Sequence, residues 1–161
     1  MKKYHGICCL TLVVLLLTAV SCSGKKKPEG LPELHPLTIK IVYDDGTPVE
    51  GATVQIISLD TSGAQRWNTG GKTDAQGQAA MRTHGEYPGA AAGNYKVVVD
   101  KEEVVYNNAE PPQITARFNH IEKKYTRISS TDLTLEVKPD TKSVELSVGK
   151  AVREAIAGPP G

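Results

Sequence analysis

The sequence predicts an all-β domain folded as a β-sandwich of six or seven short strands. Apolar and polar residues alternate in several short runs, which is the period of a strand with one buried face. Turns containing glycine, proline and aspartate separate these runs, and no long segment has the spacing of an amphipathic helix. Short strands with such turns between them are typical of a β-sandwich.

The segment 37–59 opens this domain and shows the pattern most clearly. Apolar residues occupy the odd positions of 37–43, and 52–59 is rich in β-branched residues. Between these runs Gly46 favours a positive φ and Pro48 lacks a backbone N–H, so the chain turns there. We therefore expect a pair of strands joined by this turn.

The later strands are predicted by the same reasoning. A turn is expected over 73–77, where Asp74 caps backbone N–H groups and Gly77 adopts a left-handed conformation. The segments 84–93 and 107–130 contain prolines, and we expect them to be irregular. The predicted strands are 64–68, 78–83, 94–100, 103–106, 133–137 and 142–148. The predicted core consists of Ile39, Ile41, Val54, Ile56, Met81, Tyr95, Val97, Val99, Leu133, Leu135, Val144 and Leu146.

The N-terminal segment has the features of an export signal. Basic Lys2 and Lys3 precede an apolar run of 14 residues, 7–20, which is shorter than the roughly 20 residues of a membrane-spanning helix. The run ends in Ala19-Val20-Ser21-Cys22, which resembles the lipobox of bacterial lipoproteins, although Ala19 stands where leucine is commonest. The resemblance implies cleavage before Cys22 and lipidation of Cys22, with palmitate among its acyl chains. The alternative is an ordinary cleavable signal followed by an incidental cysteine.

These features divide the chain into four segments. We expect a signal peptide at 1–21, a lipidated cysteine with a proline-rich tether at 22–36, the β-sandwich at 37–148 and a flexible tail at 149–161. A helical turn is expected in this tail, over 151–157. Ser23, rather than aspartate, follows the cysteine, which fits sorting to the outer membrane. The predicted location is therefore the bacterial cell envelope, with a lipid anchor.

Charge and cysteine content exclude several classes of protein. Removal of the leader leaves 17 basic and 18 acidic side chains, so a concentrated basic face for nucleic acid is not expected. Cys8 and Cys9 are removed with the leader, which leaves Cys22 alone and allows no intrachain disulfide. The predicted partners are the membrane, through the anchor, and a protein of the cell envelope.

Three segments resemble the carboxypeptidase regulatory-like domain, a transthyretin-like (prealbumin-type) β-sandwich. They are Gly-Thr-Pro-Val-Glu-Gly-Ala-Thr-Val at 46–54, Thr-Asp-Ala-Gln-Gly at 73–77 and Gly-Asn-Tyr-Lys-Val-Val-Val at 93–99. The resemblance covers about residues 37–148 and implies a seven-stranded Greek-key sandwich, as in small bacterial lipoproteins that carry this domain alone. It implies little about function, because one fold serves many functions.

From its potential catalytic groups, the sequence predicts that the protein is not an enzyme and holds no cofactor or metal. Transthyretin-like hydroxyisourate hydrolases need paired histidines and a C-terminal Tyr-Arg-Gly-Ser, whereas this sequence ends in Ala-Gly-Pro-Pro-Gly. His35, His84 and His120 are widely separated and lack metal-ligand spacing.

Two further sets of residues have simpler roles than covalent or metal chemistry. Lys40 has no asparagine in 143–148 with which to form an isopeptide bond. Asp44, Asp45 and Asp74 would bind Ca²⁺ only if their loops converged, and capping of turns is the favoured role.

Two functions are consistent with these observations. The first is a non-enzymatic, membrane-anchored lipoprotein whose β-sandwich is a structural or protein-interaction module of the cell envelope. Such a module would present loops or an exposed strand edge to another protein. The alternative is a carbohydrate or small-ligand binding module that uses the loops around Trp67, the single tryptophan. Packing of Trp67 in the core is the simpler expectation for this side chain.

Overall fold

A computed structural model describes residues 27–60 and 67–156 of the chain. The predicted signal peptide, Cys22 and most of the predicted strand 64–68 lie outside these ranges. No helix within the two ranges combines the length and the apolar character that crossing a bilayer requires.

Fourteen short strands and one 3-10 helix, Lys123–Thr126, form the regular structure of this part of the chain. The strands are β1 (Leu34–His35), β2 (Thr38–Val42), β3 (Thr53–Ser58), β4 (Thr69–Lys72), β5 (Gln78–Ala80), β6 (Arg82–Thr83), β7 (Tyr87–Pro88), β8 (Ala90–Ala91), β9 (Gly93–Asp100), β10 (Glu102–Tyr106), β11 (Ile114–Asn119), β12 (Thr134–Val137), β13 (Ser143–Ser147) and β14 (Glu154–Ala155). The predicted strands at 37–43, 52–59, 94–100, 103–106, 133–137 and 142–148 are confirmed, with ends that differ by at most one residue.

The strands form four sheets. The largest has the order β12–β9–β3–β4–β6–β7, and a second has the order β13–β2–β5, with β13 parallel to β2. A third sheet has the order β10–β11–β14, and β1 pairs only with β8. The first two sheets bury their apolar side chains in one common core, so the all-β architecture is consistent with a β-sandwich.

The predicted core residues all lie in or against this core. Nine are buried, and Leu133, Val144 and Leu146 are partly buried against the others. Alternation explains this agreement, because the residues of one strand face point to one side of the sheet. The structure adds buried side chains from turns and loops, among them Val49, Ile121, Tyr125 and Val148.

The prediction that the first two strands pair with each other is wrong. Strand β2 pairs with β13 and β5, whereas β3 pairs with β4 and β9 in the opposite sheet. The turn itself is present, with Gly46 at a φ of 82° and a single bridge between Val42 and Pro48. Alternation of apolar and polar residues specifies which face of a strand is buried. Two strands in opposite sheets of one core show the same alternation as two strands that pair with each other.

The predicted single strand over 78–83 is also divided between the two sheets. Strand β5 pairs with β2, and β6 pairs with β4. Met81 lies between them, is buried, and donates its backbone N–H to the carbonyl of Leu37 at 2.9 Å. The chain therefore crosses from one sheet to the other at Met81, which closes that side of the core.

Four segments contain more structure than the sequence predicted. The predicted loop 84–93 contains β7 and β8, and the predicted tether contains β1. The predicted irregular segment 107–130 contains β11 and the 3-10 helix, and the predicted helical turn over 151–157 is replaced by β14. Strands β1 and β14 are ordered by pairing with distant strands, whereas β7 and β11 pair with the strand that precedes each of them in the chain.

The predicted turn over 73–77 is confirmed. Oδ1 of Asp74 accepts the backbone N–H groups of Gln76 and Gln78 at 2.9 and 2.8 Å. Gly77 has a φ of 75°, and its carbonyl accepts the N–H of Ile41 at 2.8 Å. The turn thereby ties the start of β5 to β2.

Candidate functional site

Trp67 lies half-buried at a cleft of about 210 Å³, outside the cluster of core residues. It lies just before β4, and the cleft is shared with Leu34 of β1, Ser58 at the end of β3 and Tyr95 of β9. Asp60 also lines the cleft. The expectation that Trp67 packs in the core is therefore not met, and an aromatic ring borders a concavity with both apolar and polar walls.

The hydroxyl groups of three residues that line this cleft are hydrogen-bonded. Thr83 is buried and donates its hydroxyl hydrogen to the carbonyl of Gly89 at 2.8 Å. The hydroxyls of Thr69 and Thr83 lie 2.9 Å apart, and since Thr83 has used its only hydrogen, Thr69 is the donor. Tyr95 donates its hydroxyl to the carbonyl of Ala91 at 2.8 Å, and burial raises the pKa of this phenol.

His84 holds one side of Trp67. The two rings meet edge-to-face, with centroids 5.9 Å apart and planes at 87°. His84 lies in the turn between β6 and β7. Its φ is 55°, a value that residues other than glycine adopt infrequently. The indole is thus oriented by a neighbour from the next turn, and its remaining surface borders the cleft.

The other residues considered from the sequence make structural contacts. Asp45 accepts the N–H of Thr47 at 2.9 Å, and Asp44 accepts the hydroxyl of Ser147 at 2.6 Å. Lys40 forms an ion pair with Glu145, its cross-strand neighbour, at 2.8 Å. Over residues 27–60 and 67–156, no group of three or more His, Cys, Asp or Glu side chains is placed to hold a metal ion.

A polar cluster on the third sheet was not found from the sequence. Arg153 donates two hydrogen bonds to Glu103, from Nε to Oε2 at 3.0 Å and from Nη2 to Oε1 at 3.1 Å. Nε2 of His120 lies 2.7 Å from Oε2 of the same carboxylate, and the guanidinium of Arg153 stacks over Phe118 at 3.5 Å. The bonds from Arg153 and then from His120 lower the pKa of Glu103 to about 2. These residues are far apart in the chain, and no spacing signals their association.

The third sheet differs from the other two large sheets because no residue of β10, β11 or β14 is buried. Tyr106 and Ile114 are cross-strand neighbours and are 56% and 47% exposed, and Ile156, next to β14, is 39% exposed. These three are among the five exposed large hydrophobic side chains of the described chain. Tyr106 and Ile114 therefore present an exposed apolar pair on this sheet in the described part of the chain.

No family model matches the chain, and no curated protein matches it. Among solved structures it is similar to a 9R-lipoxygenase from Cyanothece PCC8801, with a TM-score of 0.37 and 14% sequence identity. The match covers 78% of this chain and 18% of the lipoxygenase chain. The chain thus spans less than a fifth of the length of that protein.

Proposed function

We propose that this protein is a lipoprotein of the bacterial cell envelope, anchored in the outer membrane by acyl chains on Cys22. Its β-domain acts as a protein-interaction module and catalyses no reaction. The basic start, the apolar run 7–20 and the sequence Ala19-Val20-Ser21-Cys22 support the anchor. Several acyl chains are needed for firm attachment, since each buried CH₂ contributes only about 0.8 kcal/mol.

We further propose that the domain has the seven-stranded Greek-key topology of the transthyretin-like, carboxypeptidase regulatory-like fold. The three segments that carry the resemblance occupy places that suit it: 46–54 turns into β3, 73–77 precedes β5, and 93–99 lies in β9. The sharing of one core by the six-stranded sheet and the sheet β13–β2–β5 also fits a sandwich of this kind.

The tether sets the distance between membrane and domain. Pairing of β1 with β8 fixes the chain from Leu34 onward, which leaves residues 22–33 between the lipid and the domain. Twelve fully extended residues would span about 35 Å. The turn that the N–H of Leu31 closes on the carbonyl of Pro28 at 3.2 Å shortens this reach. Lys25, Lys26 and Lys27 lie near the lipid end, where basic side chains are attracted to anionic headgroups.

The exposed third sheet supports the proposal that the domain is an interaction module. Its cross-strand neighbours Tyr106 and Ile114 are both large apolar side chains and are about half exposed. A protein partner is therefore the cover that we assign to this surface.

The anchor is tested by metabolic labelling with a fatty-acid analogue, followed by separation of membranes from soluble protein. We expect the wild-type chain to carry label and to sediment with membranes, and Cys22→Ala to lose both properties. Substitution of Ser23, the next residue, by Ala is the matched control and should retain the label. An unlabelled wild-type chain would show that the leader is an ordinary cleavable signal.

The cleft at Trp67 supports a second candidate, a site for a carbohydrate or another small ligand. An oriented indole beside a cavity of about 210 Å³ offers a flat apolar surface on which a sugar ring can stack. Titration with glycans of the cell envelope, read by tryptophan fluorescence, tests this candidate. A saturable change in the emission of Trp67, together with a heat of binding that calorimetry finds in the wild type and not in Trp67→Ala, would support binding, and emission unaffected by every glycan would exclude it.

A further inference from the structure

Strand β10 forms one edge of the third sheet, so one of its sides has no neighbouring strand among the residues described. His120 donates its N–H to the carbonyl of Lys101, and Asn107 donates to the carbonyl of Gln113, both at 2.9 Å. Backbone groups of an antiparallel strand alternate between its two sides. The N–H and C=O groups of Glu102 and Val104 are therefore directed outward, away from β11.

Strand β10 is one of the two longest edge strands of the four sheets. Exposed edges are normally very short, or carry proline or lysine, which discourage further pairing. Strand β7 has two residues and contains Pro88, and β12 has four and ends beside Lys138. Strand β13 is as long as β10, but its Val144 and Leu146 pack against the core. Strand β10 has five residues, no proline or lysine, and the exposed Tyr106 at one end.

We propose that β10 pairs in antiparallel fashion with β10 of a second copy of this chain, about a two-fold axis at Val104. At the axis each Val104 donates its N–H to the C=O of the other Val104. On either side Glu102 pairs with Tyr106 of the second copy, for a total of about six backbone hydrogen bonds. Two three-stranded sheets then become one sheet of six strands, and the interface is isologous.

The charge pattern of β10 favours a second copy over a different strand. Its acidic residues lie at one end and its apolar residues at the other, so antiparallel self-pairing sets Glu102 and Glu103 opposite Tyr106 and Val105. Parallel pairing would set each carboxylate against its own copy, which is destabilising. Arg117 already pairs with Glu102 at 3.1 Å, and Glu103 is bound by Arg153. The edge therefore has no unpaired charge that calls for a basic partner.

This inference rests on the proposed interaction module and names a second copy of the chain as its first partner. It does not rest on the lipid anchor. Loss of the fatty-acid label would overturn the anchor alone. Disulfide cross-linking and the molecular mass of the extracted protein test self-pairing in either case, because both depend on the edge of β10 and not on Cys22.

Cysteine cross-linking tests the predicted register in the full chain in membranes. In Val104→Cys the two Cα atoms at the axis would lie about 5.5 Å apart, which suits a disulfide. Val105→Cys is the matched control, since its partner across the axis is Glu103 and its own copy lies beyond the reach of a disulfide. We expect a disulfide-linked dimer with Val104→Cys on a non-reducing gel, and none with Val105→Cys or the wild-type chain.

Light scattering of the detergent-extracted protein gives an independent measure. We expect a dimer that dissociates on dilution, and a monomer for Val104→Pro, whose missing N–H makes no bond to β11. A circular dichroism spectrum like that of the wild type would show that this variant is folded. A monomeric wild type, equal cross-linking through positions 104 and 105, or cross-linking of Val104→Cys to a different protein would each overturn the proposal.

Discussion

Arg153 holds Glu103 by two parallel hydrogen bonds of 3.0 and 3.1 Å, and this contact joins the two edge strands of the third sheet. Glu103 belongs to β10, and Arg153 immediately precedes β14, with β11 between them. Phe118 of β11 lies under the guanidinium. This bidentate ion pair and the aromatic ring beneath it therefore reinforce the backbone ladder of a sheet with no buried residue.

Replacement of Arg153 by alanine should release β14. Strand β14 has only two residues, and the N–H of Ile156 next to it is bonded to the carbonyl of Arg117 at 2.9 Å. We expect the Ile156 amide to exchange with solvent several-fold faster in Arg153→Ala, measured by hydrogen exchange. Lys40→Ala, which removes an exposed ion pair on another sheet, is the control. Unchanged exchange at Ile156 would show that the pair does not secure β14.

The same contact predicts a dependence on pH. The pKa of Glu103 is lowered from 4.5 to about 2, so its carboxylate favours the folded sheet fully above about pH 4.5. This contribution is lost as the pH falls from about 4.5 to about 2. The amide chemical shift of Ile156 should therefore change over this interval in the wild type. In Glu103→Gln the change should be absent, and an identical titration in both proteins would assign it to another group.

The hydroxyl chain beneath the Trp67 cleft predicts an asymmetry between two threonines. Thr83→Val leaves both the hydroxyl of Thr69 and the carbonyl of Gly89 without their partners, and we expect a loss of about 1–3 kcal/mol in the free energy of unfolding. Thr69→Val leaves the bond from Thr83 to Gly89 intact and should cost about 1 kcal/mol or less. Urea unfolding measures both. Equal losses would contradict the assigned direction of the hydrogen bonds.

Gly77 should be far less replaceable than Gly46, although both have a positive φ. A Cβ at Gly77 would lie 2.5 Å from the carbonyl oxygen of Ile41, whereas nothing lies within 4 Å of one at Gly46. Gly46→Ala should cost about 1 kcal/mol through backbone strain alone. Gly77→Ala should cost more than about 2 kcal/mol, because strain and collision add. Thermal unfolding compares the two, and similar melting temperatures would contradict the tight packing of this turn against β2.

The sequence predicted which side chains are buried better than it predicted which strands are neighbours. Ile39 and Val54 were both expected in the core and are both fully buried, yet they lie on opposite sheets. Alternation reports only that one face of a strand is apolar. The choice of neighbour depends on contacts between distant segments, such as the parallel pairing of β2 with β13.

The candidate sites also depend on contacts between distant segments, which the sequence did not predict. Trp67 was selected because it is a lone aromatic beside turns, and the cleft beside it also requires Tyr95 and Leu34 from distant strands. Strand β11 was missed although Ile114, Ala116 and Phe118 alternate, because the adjacent prolines and polar residues indicated a loop. Its order comes from pairing with β10, which no local signal specifies.

The intact mass of the protein extracted from membranes tests the lipid anchor most directly. We predict a chain that begins at Cys22, with a mass that exceeds that of the polypeptide 22–161 by a diacylglyceryl group, with or without a further acyl chain. Proteolytic fragments should place all of this added mass on the N-terminal peptide. A chain with the mass of the bare polypeptide, or one that begins at another residue, would contradict the account.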